Sequence, residues 1–419
     1  MLIDRREPGP CVYRQAVVRL VAVLILFVPA AGDASEFETQ QTLSAAAFFA
    51  EDMLQGPHHR VVDEVKNDTL FNHYEVESTY GRFSVSTNSG LKILIGEIAA
   101  IAEMKKVETD DTVVNSLKES GKSTVEGVKQ LFSAPEETIE GAAAGIGSLF
   151  SRAKQTIGKR DVAETEDNRA KQLIGFSRSK GEIASTYGVN VYSRNEVLQR
   201  ELERLAWADF AGGIGVGAAR SALTGGVGGM LLSTSEAARL LNDVINTTPA
   251  SELWVQNKNN LLAMEIPEDT VTLFLNNKVF SPALTTIIVK ALEKMEGVEN
   301  RELLVTVALQ ASTAAMAETI TKIAVMTSGY HRNVAPLTRL VPMGRVTCAE
   351  THDGTPVILV PADYMAWTER VKDLLDPLAD HTSGELWVTG TVSDAARSNL
   401  ESSGWKLHEN AGEKLALKK

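Results

Sequence analysis

"RVTCAETHDGTPVILVP", residues 345–361, decides the fold of the C-terminal part of this chain. An alternating run and a β-branched apolar run flank Asp353-Gly354, and Asp-Gly between two such runs marks a tight β-hairpin turn. Beyond it, 362–378 carries helical spacing and "ELWVTG" reads as a strand. Residues 394–402 then read as a helix that Gly404 stops, and "WKLHE" as a last strand. The order β-β-α-β-α-β predicts a small α/β sheet layer over residues 336–419.

Working back toward the N-terminus, the pattern becomes helical. Residues 90–104 place Leu91, Leu94, Ile95, Ile98 and Ile101 on one stripe. Ser133 with Glu136, Ser193 with Glu196 and Ser233 with Glu236 have the spacing of capping boxes. Thr248-Pro249 and Ser281-Pro282 open further helices, and the longest is expected over 299–326. Before this region, residues 42–53 read as a helix. "HYEVES" and "RFSVST" then flank Thr79-Tyr80-Gly81 as a second hairpin. The fold class expected is mainly α, with an N-terminal β-hairpin and a small C-terminal α/β (α+β) domain. The divisions are 1–32, 33–110, a helical body over 111–335, and 336–419.

The first 32 residues read as a secretory signal. Arg5, Arg6, Arg14 and Arg19 precede the apolar run 20–31, and small residues follow at Ala30, Gly32 and Ala34. A membrane anchor, the lesser alternative, needs about 20 apolar residues, and this run is shorter and contains Pro29. The expected location is periplasmic or secreted. Cleavage removes the four arginines with Asp4 and Glu7, which takes the net charge from -12 to -14. Such acidity argues against nucleic acid as a partner and disfavours an anionic membrane surface. Cleavage also removes Cys11 and leaves Cys348, so no internal disulfide is expected, and Cys348 reads as a small residue on a strand face.

Residues 209–232 hold eight glycines between Gly212 and Gly229. A dinucleotide loop needs a strand before its glycines, whereas an amphipathic helix precedes these. A membrane hairpin would be interrupted by Asp209 and Arg220. The reading preferred is a close-packed seam in which Gly212, Gly213, Gly217, Gly225 and Gly229 face Gly141, Ala142, Gly145 and Ala153 of an earlier helix.

Candidates for chemistry are few. His58, His59, Asp63, Glu64 and His73 match no zinc spacing, and neither a metal site nor a cofactor is expected. Ser177–Lys180 and Ser151–Lys154 fit S-x-x-K without its companion motifs. Thr389, Gly390 and Ser393 lie between a strand and a helix start, where an anion can bind, although a plain turn capped by Ser393 is preferred. Tyr330, His331, Arg332 and Arg339, with Glu318 just before, gather where the helical body meets the α/β layer. They are expected to act as an ionic hinge, or else as a binding site at the seam.

Residues 177–213, 385–407 and the stretch "GYHRNVAPLTRL" resemble an uncharacterised family of secreted proteobacterial proteins. The resemblance spans most of the mature chain and implies no activity, cofactor or site residue. The function expected is an exported, non-enzymatic binding or scaffold protein with a protein or envelope partner. The alternatives are a hydrolase with its site at the seam near His331, and a membrane-perturbing protein acting through the glycine-rich helices.

Overall fold

The computed structural model describes residues 37–39, 42–107, 164–210, 243–343, 346–375 and 383–416, with side chains from 175 onward in the segment beginning at 164. The glycine seam (Gly141, Gly145, Gly212, Gly213, Gly217, Gly225, Gly229) and the capping boxes at Ser133 and Ser233 lie outside the described residues.

The N-terminal hairpin forms as its alternation requires. β5 (Asn72–Ser78) pairs with β6 (Gly81–Ser86) from His73↔Ser86 to Ser78↔Gly81. Gly81 takes φ +134°, a conformation that side-chain-bearing residues avoid. Asn72, Tyr74 and Val76 are buried on one face of β5. On the other, Glu75 accepts from Ser84 and Glu77 from Arg82.

The opposite edge of β5 is covered by two short strands in succession, β3 (His59–Val61) and β4 (Glu64–Asn67). Between Val61↔Val76 and Lys66↔His73 the outer chain advances five residues while β5 moves back three, and since the Val62 N–H still donates to Glu75 O at 2.9 Å, the two extra residues bulge between Val62 and Lys66. β1 (Thr42–Ser44) joins β4 and β2 (Gln55–Gly56) joins β3, completing a six-stranded antiparallel sheet. A short helix, α1 (Glu51–Leu54), is all that forms of the helix expected over 42–53.

α2 (Asn88–Lys105) begins at Thr87, whose hydroxyl accepts the Gly90 N–H at 3.0 Å. Leu91, Leu94, Ile95 and Ile98 pack on the sheet with Tyr74 and Val76. The next turns carry Ile101 and Met104 into a second cluster. There they meet Phe176 and Ile183 of α3 (Glu164–Thr186) and Leu198, Leu202 and Leu205 of α4 (Glu196–Phe210). Each such buried aliphatic stabilises by about 1.5–3 kcal/mol. The cap of α4 is Asn195, which accepts the Val197 and Leu198 N–H groups, rather than Ser193.

α5 (Ala250–Ala263), α6 (Glu268–Leu275), α7 (Pro282–Glu293), α8 (Leu303–Ala308) and α9 (Ala314–Asn333) form the helical body. The single helix expected over 299–326 is instead two. Thr313 caps a fresh start by accepting the Met316 N–H, and α9 then runs on past Met326.

The C-terminal sheet runs β13-β11-β9-β8-β7. β7 (Leu337–Met343), β8 (Val346–Thr351) and β9 (Pro356–Val360) pair antiparallel, whereas β9, β11 (Gly384–Val388) and β13 (Trp405–His408) pair parallel. Leu340, Ala349, Val357, Leu359 and Trp387 belong to the core of the helical body. Cys348, Ile358, Leu386 and Val388 pack instead with α10 (Glu369–Leu375) and α11 (Asp394–Ser402) through Val371 and Leu400. Cys348 is fully buried, and burial pushes its thiol up to about 11. It fills a strand face as expected.

The reading "mainly α" is corrected. The described residues hold sheets of six, five and two strands, the six-stranded one in the N-terminal part where only a hairpin was expected. β1 to β4 are two to four residues long. So short a segment shows no period; β3 and β4 exist because β5 offers them an edge, and β1 and β2 because β4 and β3 then do.

Candidate functional site

β9 is the strand at which pairing changes from antiparallel to parallel. In open α/β sheets, ligands lodge outside the carboxyl ends of the parallel strands. The loops that leave β9 and β11 meet there. Two-residue strands β10 (Tyr364–Met365) and β12 (Thr391–Val392) pair in parallel and tie them together. Gly390 lies so close to Asp363 that a Cβ would sit 1.9 Å from its carbonyl oxygen.

Residues 67–72 of the N-terminal sheet dock against the first loop. The Asp363 N–H donates to Leu70 O at 2.8 Å, and the Ala366 N–H to Thr69 O at 3.2 Å. Asn67 Nδ2 donates to Tyr364 O at 3.1 Å. The buried Asp363 carboxylate accepts the Asn72 N–H at 3.1 Å and the Asn88 N–H at 3.0 Å. Burial raises this carboxyl above its ordinary value, against the pull of those two N–H groups and of Lys322. Lys322, from α9, is lowered by burial while Asp363 and Glu318 oppose the shift, and its Nζ donates to Thr87 Oγ1 at 3.0 Å. Thr69 (φ 94°) and Thr87 (φ 74°) hold a backbone conformation that β-branched residues avoid, at a cost of about 1–3 kcal/mol each. Both stand where the N-terminal sheet meets this junction.

Glu38 completes the crevice. Its carboxylate accepts the Trp367 N–H at 2.5 Å and the Ser393 hydroxyl at 2.5 Å, while its own N–H donates to Trp367 O at 2.7 Å. Ser393 also caps α11 by accepting the Ala396 N–H at 3.0 Å. Of the three residues considered for an anion at this helix start, Ser393 alone meets a carboxylate, and that carboxylate is the chain's own. Thr389 Oγ1 and the Gly390 N–H both donate to Ala362 O and hold the loops together. Beside this seat lies a pocket of about 330 Å³ lined by Thr39, Asn67, Asp68, Thr69, Ala366, Thr368 and Arg370. Arg370 is exposed and forms no ion pair among the described residues.

Asp68 also reaches the outer face of the N-terminal sheet. Its Oδ2 lies 2.9 Å from His73 Nε2, and His73 Nδ1 lies 2.9 Å from Ser86 Oγ. Burial raises the Asp68 carboxyl, but the Phe71 N–H, the His73 ring and the Leu70 N–H outweigh it, and the group rests below its ordinary value.

The seam residues do not converge. Tyr330 is buried; its hydroxyl donates to Glu385 Oε2 at 3.1 Å and its ring meets Trp387 edge-on. His331 Nδ1 accepts the Leu337 N–H at 2.9 Å and so fastens the turn from α9 into β7. Burial, then Arg332, holds its pKa down. Arg332 is exposed, Arg339 pairs with Glu350 at 2.6 Å, and Glu318 lies 3.6 Å from Arg194. The other candidates also disperse. His59 Nε2 lies 3.1 Å from Met53 O, His58 stands against Tyr80, and Lys180 pairs with Glu203. Among the described residues no three His, Cys, Asp or Glu side chains group to hold a metal, and no helix is long and apolar enough to cross a membrane.

Sequence reasoning missed Glu38, Asp68, Ser86, Lys322, Asp363 and Arg370. The bonds that unite them span up to 355 positions, and no motif links them. The strand-to-helix start at Ser393 was the one local signal. The chain matches no protein-family model, no curated protein and no solved structure.

Proposed function

We propose that this chain is an exported binding protein of the envelope or extracellular space, and that its ligand carries a carboxylate. The observation that carries the reading is the seating of the Glu38 carboxylate on the Trp367 N–H and the Ser393 hydroxyl, at the start of a nine-residue helix. Two charge-assisted hydrogen bonds and the positive end of a helix favour an anion there. The adjoining pocket supplies threonine hydroxyls and the guanidinium of Arg370 for the rest of such a ligand. Glu38 lies a few residues beyond the expected signal cleavage site, so the mature N-terminal segment is the natural occupant that a ligand displaces. The Arg-flanked apolar run supports the export part of the reading.

The test is calorimetric titration of succinate into the mature Glu38→Ala chain, with wild type and Glu38→Ala/Ser393→Ala alongside. Saturable binding to Glu38→Ala, weaker in wild type and lost in the double variant, is expected. Absence of saturable binding to Glu38→Ala would sink the proposal.

A further inference from the structure

The relay Ser86–His73–Asp68 goes beyond binding. Its direction is fixed by chemistry. Asp68 is an ionised carboxylate that already accepts the Leu70 and Phe71 N–H groups through Oδ1, so its Oδ2 accepts as well. His73 Nε2 must therefore carry the proton in that contact. In neutral imidazole Nδ1 is then the acceptor, and Ser86 is left to donate. Hydroxyl to imidazole to carboxylate is the polarity a serine nucleophile needs, although here Nδ1 rather than Nε2 faces the hydroxyl.

The sheet sets the geometry. His73 and Ser86 are direct cross-strand partners, and the adjacent pair exchanges the Thr87 N–H to Asn72 O bond of 2.7 Å. Bonded and non-bonded pairs alternate along an antiparallel ladder. His73 and Ser86 are thus a non-bonded pair, in which side chains approach closely and the Ser86 N–H points away from β5. It points to the outer edge of β6, which pairs with no other described strand. An open N–H on the nucleophile's own residue is a donor for the oxyanion of acyl transfer. The Ser86 side chain is itself exposed, so an acyl group can reach it.

We propose that Ser86 is the nucleophile, His73 the general base and Asp68 the positioning residue of an esterase site on this face. Ser86 Oγ attacks the ester carbonyl carbon as its proton passes to His73 Nδ1. The bond to the alkoxy group breaks, and His73 returns the proton to the departing alcohol. Water then attacks the acyl-Ser86 carbonyl and gives a proton to His73. Collapse frees the carboxylic acid and restores Ser86, so ester and water yield alcohol and acid. The substrate class is a small ester whose carbonyl lies flat on an open sheet.

The mature protein is treated with a fluorophosphonate probe, the modified residue is mapped by mass spectrometry, and hydrolysis of p-nitrophenyl acetate is followed. Labelling at Ser86 is expected, with loss in Ser86→Ala and a fall on the order of 10²-fold or more in His73→Ala. Ser84→Ala, on the same face but bonded to Glu75, should react as wild type. Asp68→Asn should lower kcat with KM unchanged, a split that loosened packing would not produce. No label on wild type, label on another serine, or hydrolysis unchanged in Ser86→Ala would overturn the proposal. Exposed Ser86 tolerates alanine, so misfolding does not obscure the result. Labelling and hydrolysis in Ser86→Ala and His73→Ala do not bear on the carboxylate crevice, which Glu38→Ala tests separately; Asp68 alone also lines its pocket.

Discussion

Gly390→Ala is the sharpest test of the crevice. A Cβ at Gly390 would stand 1.9 Å from Asp363 O, 2.6 Å from its carbonyl carbon and 2.9 Å from its Cα. All three are backbone atoms, so no side chain can swing aside. Ordinary contact begins near 3.4 Å, and the two loops must separate by about 1.5 Å. Three bonds cross that junction: the Gly390 N–H to Ala362 O at 2.8 Å, the Thr391 N–H to Asp363 O at 3.1 Å, and Thr389 Oγ1 to Ala362 O at 2.7 Å. Overpacking costs about 1–3 kcal/mol and each lost bond about 0.5–1.5 kcal/mol, for a total of about 2.5–7.5 kcal/mol if all three bonds are lost. At roughly 2–4 °C per kcal/mol the melting midpoint should fall by about 10 °C. Thermal melts followed by circular dichroism measure this, with Gly412→Ala as control. That glycine's nearest neighbour is Thr389 O at 3.7 Å, an ordinary contact. A Gly390→Ala midpoint within about 2 °C of wild type would show that the loops do not meet as described.

Removing the Glu38 carboxylate should cost about 1.5–3 kcal/mol locally, and acetate should restore stability to Glu38→Ala while leaving wild type unmoved, as read by thermal shift. Glu201 is held below its ordinary value of 4.5 because the bonds from Lys105 and Arg204 outweigh the effect of burial. The stability it contributes is therefore complete above pH 4.5 and lost as pH falls through the folded value. Denaturant titrations of Glu201→Gln should show a shallower acid limb, and a limb as steep as wild type would contradict this. Tyr330→Phe deletes the bond to Glu385 while keeping the ring against Trp387, and should cost about 1–2 kcal/mol in urea unfolding. Cys348 should resist a maleimide at pH 8 until the chain unfolds, since peptide mapping would find a buried thiol unmodified.

Local chemistry wrote several elements into the sequence. The 79–81 turn is a hairpin because Gly81 alone there accepts its φ. α11 starts at Ser393 and stops before Gly404 (φ 83°), as its cap and terminator demand. Gly354 (φ 80°) turns β8 into β9, although in a three-residue loop, 352–354, closed by the Thr351 N–H to Thr355 O bond of 3.1 Å, rather than the two-residue Asp-Gly turn. In each case the deciding atoms lie within about four positions of one another, so the order of residues is enough.

Tertiary structure alone decided the rest. β7 runs through Pro342 and carries no alternation, with Leu337, Leu340 and Met343 buried at intervals of three. It is a strand because β8 pairs along it. β1 to β4 are too short to declare themselves; β3 and β4 depend on β5 for a partner, and β1 and β2 on β4 and β3. The crevice joins Glu38 to Ser393 and Asn88 to Asp363, pairs whose spacing in the chain holds no information about their meeting. In the sequence His73 is only the first residue of an expected hairpin strand; the β5–β6 register sets it opposite Ser86, and the Asp68 turn brings up a carboxylate. A polar side chain takes its role from the partner that satisfies it when it leaves water, and for these residues that partner is chosen by the packing of distant segments.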